Sequence, residues 1–170
     1  MKKLTLLLAG LLAFNVGVAA AAPLNELNTH ETAVGIMMHS TDPDSDTIYI
    51  EHKLSPKFTV GLQTVDWGNH GDADDIYGQL HLTDNLRAIA GVRDFGSSSE
   101  LFLGLGVSGP LSAQWNGFAS FAASSEHKEL HVGANYAISH NVDLTVSYLS
   151  VKPDGGSSRN GLGLGAAFKF

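Results

Sequence analysis

The 170-residue chain contains no cysteine. Disulfides, thiolate metal sites and a lipid-modified N-terminal cysteine are therefore excluded. Beyond the first two dozen residues no apolar run approaches the ~18–20 residues that a spanning helix requires. Charged residues make up only 16% of the chain, against about 25% in water-soluble domains. Lys and Arg number 10 against 17 Asp and Glu, a net charge of -7, so the basic footprint needed for nucleic acid is missing. The 8 histidines are dispersed, and no helix presents them at the H-x-x-x-H spacing of a zinc site.

What is present begins with a leader. Met1-Lys2-Lys3 is a short positive start, an apolar run extends from Leu4 to Phe14, and small residues fill positions 19–22. This is the pattern of a secretory signal peptide. Residues 1–21 are expected to be removed, with cleavage after Ala20 or Ala21, since Pro23 follows Ala22 directly. An uncut N-terminal anchor is the alternative. Residues 22–170 then form a single domain. An exported chain without disulfides must hold itself together by other means.

The remainder alternates apolar and polar residues with a period of two, the mark of strands with one apolar face. Segments fall at 33–39, 47–54, 58–67, 75–82, 86–95, 100–108, 113–124, 129–138, 142–151 and 161–170. Leu82, Leu86, Ile89, Ala90 and Arg93 also fit a helix face, which competes with the fifth segment. Ser55-Pro56-Lys57, Thr83-Asp84-Asn85, Gly109-Pro110-Leu111-Ser112 and Ser139-His140-Asn141 read as tight turns. The other connections are mostly longer and more polar. Short turns at one end and longer loops at the other predict an antiparallel up-and-down transmembrane β-barrel of about 10 strands, with 8 as the alternative.

The two faces differ in residue size as well as polarity. One carries Val34, Ile36, Met38, Ile48, Ile50, Leu62, Leu101, Leu103, Leu105, Leu162 and Leu164. The other mixes Gly61, Gly91, Gly104, Gly106, Gly133, Gly163 and Gly165 with long polar side chains. Glycine weakens an exposed strand, but in a narrow bore it leaves room for large neighbours. The apolar face is therefore expected to meet lipid. Glu51 and Asp143 are expected to face Lys53, Arg87, Arg93 and Lys169 as an ion-pair network filling the lumen. A narrow polar conduit for water or small ions is the other reading of these residues. Phe58, Trp115, Tyr136, Phe168 and Phe170 at the turn end, with Tyr49, Trp67 and Tyr148 at the loop end, are expected as interfacial girdles. Gly78, Gly117 and Ala119 mark a possible contact groove on the lipid face.

Signals for chemistry are weak. Asp42-Pro43-Asp44-Ser45-Asp46 starts like a calcium loop, but Thr47 stands where the loop needs Gly and Lys53 where it needs Glu. Asp72, Asp74 and Asp75 form a second acidic group, and either group is a candidate for loose divalent-cation binding. His39, Asp66 and His70 are the one imaginable acid–base group. No nucleophile motif accompanies them, so no enzymatic activity, catalytic residue, metal or cofactor is expected.

The closing stretch Leu162, Leu164, Ala166, Phe168 and Phe170, strictly alternating and ending on an aromatic, resembles the last strand of bacterial outer-membrane barrels. With the leader, the strands and the turns, the chain after the signal is similar to the small outer-membrane β-barrel proteins, the OmpA/OmpX-like and "porin family" barrels. That resemblance implies the outer membrane as location, its lipid as surroundings, and recognition of Phe170, Phe168, Leu164 and Leu162 by the assembly machinery. It also implies a structural or surface-interaction role, with a small channel and, remotely, an outer-membrane enzyme as alternatives. The chain is expected to depart from the OmpA pattern in having no periplasmic domain after Phe170, ten strands rather than eight, and loops short for an adhesin.

Overall fold

The computed structural model describes residues 24–170, so the leader expected over 1–21 lies outside the described residues. Ten strands follow in order: β1 (Thr32–His39), β2 (Ser45–Ser55), β3 (Phe58–Asp66), β4 (Asp72–His81), β5 (Leu86–Asp94), β6 (Ser99–Pro110), β7 (Trp115–Ala123), β8 (His127–Ala137), β9 (Val142–Pro153) and β10 (Arg159–Lys169). Each pairs antiparallel with its sequence neighbours, and β1 pairs with β10 to close the barrel. The eight-strand alternative is thereby removed, as is the helix over 82–93, which is a turn followed by β5. Closure leaves no unpaired sheet edge.

The four turns at the end where both termini lie share one device. Ser55, Thr83, Ser112 and Ser139 each accept, through the side-chain hydroxyl, the backbone N–H two residues on. Such hydroxyl turns reverse the chain without glycine. The third turn is a correction to the sequence reading. Gly109 and Pro110 still pair with Gly117 and Asn116, and the reversal occupies residues 111–114. Proline is tolerated there because it ends its strand. At the opposite end the loops are short, and Gly68–His70 forms a single 3-10 turn.

The barrel is inside-out relative to a water-soluble one. Leu101 and Leu162 on the outer wall are 75% and 72% exposed, whereas Glu51, Asp75, Arg87 and Arg93 in the bore are each 1% exposed. The glycines of the inner face have a geometric partner. Across adjacent strands Gly35 lies opposite Tyr49, Gly61 opposite Tyr77, Gly91 opposite Phe102 and Gly133 opposite Phe118. Each ring lies over the bare backbone of its glycine, covering hydrogen bonds that glycine alone would leave open. Large and small residues thus alternate around the bore in register.

Tyr49 is therefore not part of a girdle: it shares the inner face with Glu51 and is 2% exposed. The proposed groove is also filled from within the chain. Leu111 folds back over Gly117, Phe58 covers Gly78, and Ala119 is buried. At the turn end Trp115 packs on Tyr136 with ring centroids 5.0 Å apart, and Phe168 stacks on Phe170 at 5.8 Å.

A Cβ added at Gly91 would stand 2.5 Å from Cζ of Phe102 and 2.6 Å from the Ile76 carbonyl oxygen. The ring can swing away, but the carbonyl belongs to the ladder. Gly91→Val is expected to lower stability by about 1–3 kcal/mol, the usual cost of overpacking. Equilibrium urea unfolding in lipid vesicles measures it. A variant within experimental error of the parent would mean that the ring–glycine pairing does not fix the bore.

Candidate functional site

The turn half of the bore is occupied by the chain's own N-terminal segment. His30 adopts a left-handed backbone with φ of 68°, a region that histidine tolerates better than branched residues do. The chain reverses there, and residues 24–27 run back inside the barrel. Leu24 is fully buried among Tyr77, Ile89, Phe102, Phe118 and Ala122. Its carbonyl accepts from Asn135 Nδ2 at 3.1 Å. Asn25 donates to Glu51 Oε2 at 2.8 Å, and its carbonyl accepts from Arg87 Nη1 at 3.0 Å. Glu26 Oε1 accepts from Arg87 Nη2 and from Ser108 Oγ, each at 2.5 Å. Lys53 Nζ donates to the Leu27 carbonyl at 2.8 Å.

Each expected lumen residue can now be placed. Glu51 is held by Asn25, by the Tyr77 hydroxyl at 3.1 Å and by Gln79 Nε2 at 2.5 Å. Arg87 forms its ion pair with Glu26, and Lys53 meets a carbonyl rather than a carboxylate. Lys169 and Asp143 pair at 2.9 Å near the turn-end mouth. Arg93 lies in the loop half, where Nε and Nη2 grip both oxygens of Asp75 at 2.6 Å. Gln63 also donates to Asp75. Arg93 Nη1 lies 3.0 Å from His127 Nε2. A guanidinium only donates, so Nε2 accepts and the ring proton sits on Nδ1, facing Glu100. Every buried charge in this row thus has a charged or hydrogen-bonding neighbour, as burial demands.

Sequence reasoning missed the N-terminal segment and the partners Glu26 and Asp75. Asp75 was grouped with Asp72 and Asp74 as a loop cluster, but all three lie on β4 and split by parity. Asp75 points into the bore with Tyr77 and Gln79. Asp74 points out and accepts from Thr64 Oγ1 at 2.6 Å. Among the described residues no three His, Asp or Glu side chains converge to hold a metal ion. His39, Asp66 and His70 are not brought together either. His39 is in the bore, 3.2 Å from Ser147 Oγ and packed edge-on to His131. Asp66 is exposed and accepts from the Gly68 N–H, and His70 is exposed on the 3-10 turn.

Cavities open at the two mouths. One of about 440 Å³ lies at the turn end, lined by residues that include Glu26, Trp115, Asn135, Asp143 and Lys169. One of about 420 Å³ lies at the loop end, lined by residues that include Trp67, His70, Phe95, His127 and Arg159. The two share no lining residue.

No family model and no curated protein matches this chain. Solved structures do. KdgM porin, solved alone and in complex with disordered oligogalacturonate, aligns over 81% of this chain and 99% of its own, at 12% identity and a TM-score of 0.51. The fold is that of the bacterial outer-membrane β-barrels. The N-terminal β-barrel domain of Pseudomonas aeruginosa OprF aligns over 84% of this chain and 98% of its own, at 14% identity and a TM-score of 0.47. A de novo designed transmembrane β-barrel aligns over 86% and 100%, at 16% and 0.46. At these identities the likeness concerns the fold, and the occupants of the bore belong to this chain.

Proposed function

We propose that this chain is an integral outer-membrane barrel with a structural or surface-interaction role, its bore closed by its own N-terminal segment. The observation that carries the reading is the fully buried Leu24, anchored through its carbonyl and the neighbouring Asn25 and Glu26 to β2, β5, β6 and β8. A polymer path like one for oligogalacturonate requires an open bore, and here residues 24–26 stand in it. The apolar outer wall supports residence in lipid, since hydrocarbon tolerates a sheet only when its edges are closed. Removal of a leader near residue 21 and export belong to the same proposal. So does recognition of the last strand by the assembly machinery, for which exposed Leu162, Leu164, Phe168 and Phe170 are available. The separation of His39 from Asp66 and His70 supports a non-enzymatic role.

The narrow-channel reading draws on the cavities at both mouths, each lined in part by charged side chains. It requires the segment between them to move. Purified protein is expected to show heat-modifiable gel mobility, to need detergent or lipid to remain monomeric, and to give no discrete current steps in planar bilayers. Regular steps from the intact protein would overturn the closed-bore reading. Monomeric, folded protein in plain buffer would overturn the membrane reading itself.

A further inference from the structure

The loop-end rim carries a lysine pair on one side, with exposed Glu126 and Asp154 facing each other two residues beyond it, and only aspartates on the other side. On β8 the inner face carries His127, Glu129 and His131, and on β9 it carries Ser147, Leu149 and Val151. Lys128 and Lys152 therefore point outward, and they stand directly opposite each other in the ladder. Like charges in that position repel. Neither lysine belongs to an ion pair among the described residues. On the far side of the rim the outward positions are acidic: Asp46 faces Asp66, Asp66 faces Asp72, and Asp74 faces Asp94.

Height on the wall identifies what the lysines meet. Below them lie Ser150 and Asn160, hydrogen-bonded at 2.6 Å, then Tyr148, Val146 and Leu144, each more than 40% exposed. From Leu144 to Lys152 the strand climbs about 27 Å along its own length at ~3.4 Å per residue. With the usual tilt near 40° that is about 20 Å of height, against an apolar band of about 25 Å. With Leu144 near the inner edge of such a band, the two ammonium groups come close to its outer edge, with hydrogen-bonding side chains just beneath them.

We propose that Lys128 and Lys152 form a docking site for the phosphate of an outer-leaflet lipid, whose chains lie along the β8–β9 wall over Leu130, Val132, Val146 and Tyr148. A phosphate between the ammonium groups removes their repulsion, while the aspartate side of the rim disfavours the same headgroup. The inference rests on the membrane placement proposed above and takes the longer-loop end as the outer one, as in outer-membrane barrels generally.

The test uses the folded mature protein in phosphatidylcholine vesicles doped with bis-phosphorylated lipid A, or with the same glycolipid stripped of phosphate. Lipid retained on the barrel is measured by native mass spectrometry. The parent is expected to retain the phosphorylated form preferentially, with retention weakened about fivefold for each of K128Q and K152Q, the usual contribution of one lysine at an anionic surface. K57Q, at the opposite end, should match the parent. Equal retention of the dephosphorylated lipid, or an unchanged double variant K128Q/K152Q, would overturn the proposal while leaving the membrane barrel intact. Failure to insert into phosphatidylcholine alone would overturn both.

Discussion

Deleting residues 24–28 is expected to turn a silent barrel into a conducting one. Strand pairing at this end begins beyond the deleted stretch: the His30 N–H donates to the Lys53 carbonyl, Lys53 N–H to Glu31, and Thr32 N–H to Phe170. The wall therefore survives the deletion. The deeply buried side chains it loses contact with retain other partners, since Glu51 keeps Tyr77 and Gln79, Arg87 keeps Gln79 and Ser108, and Asn135 keeps Thr145, while Lys53 at the mouth loses the Leu27 carbonyl. Discrete steps in planar bilayers, smaller than those of 16-stranded porins because the bore is narrower, are the expected readout. Gly106→Val supplies an independent route to the same state. A Cβ at Gly106 would stand 2.5 Å from Leu24 Cδ1, so the bulkier side chain displaces Leu24. Leu24→Ala tests the anchor itself, removing contacts worth about 2–5 kcal/mol for a fully buried leucine. Because the segment can leave without unfolding the wall, that loss should appear as current rather than as a fall in the unfolding midpoint. Folded deletion protein that stays silent would place the closure in the wall residues and sink the plug.

The architecture was legible because a barrel writes its pleat into the sequence. Every outward leucine of β6 and β10 keeps the parity that the alternation predicts, and the hydroxyl turns recur at a regular interval along the chain. Boundaries shifted by one to three residues at every strand, and at the third turn a local cue misled. Gly109-Pro110 looks like a turn, yet its ladder with Asn116 and Gly117 holds because no residue has to pair beyond the proline. Parity also carried more than was taken from it. Tyr49 lies two residues from Glu51, which the sequence already assigns to the bore, and Asp75 shares the parity of Tyr77 and Gln79, so strand periodicity alone places both on the inner face. The N-terminal segment was not legible in the same way. Residues 24–31 have no period, and their place is set by hydrogen bonds to Arg87, Glu51 and Asn135, which lie 26 to 111 positions away. Only the fold brings those groups together.

Arg93→Met separates a dry bore from a wet one, and its expected cost is the largest of any single substitution considered. Arg93 and Asp75 are at most 1% exposed and joined by two hydrogen bonds of 2.6 Å. Removing the cation leaves Asp75 buried with Gln63 as its remaining donor and strips His127 Nε2 of its partner. Breaking a buried pair from one side costs about 3–5 kcal/mol, whereas replacing both members by apolar residues is often close to neutral. Arg93→Met should therefore fall by that amount in urea unfolding, and Arg93→Met/Asp75→Leu should recover most of it. The coupling between the two changes comes directly from the double-mutant cycle. A single-variant cost below about 1 kcal/mol, typical of a solvated pair, would mean that water reaches the loop half of the bore. The closure would then depend on the N-terminal segment alone, and current through the deletion variant should become sensitive to Arg93.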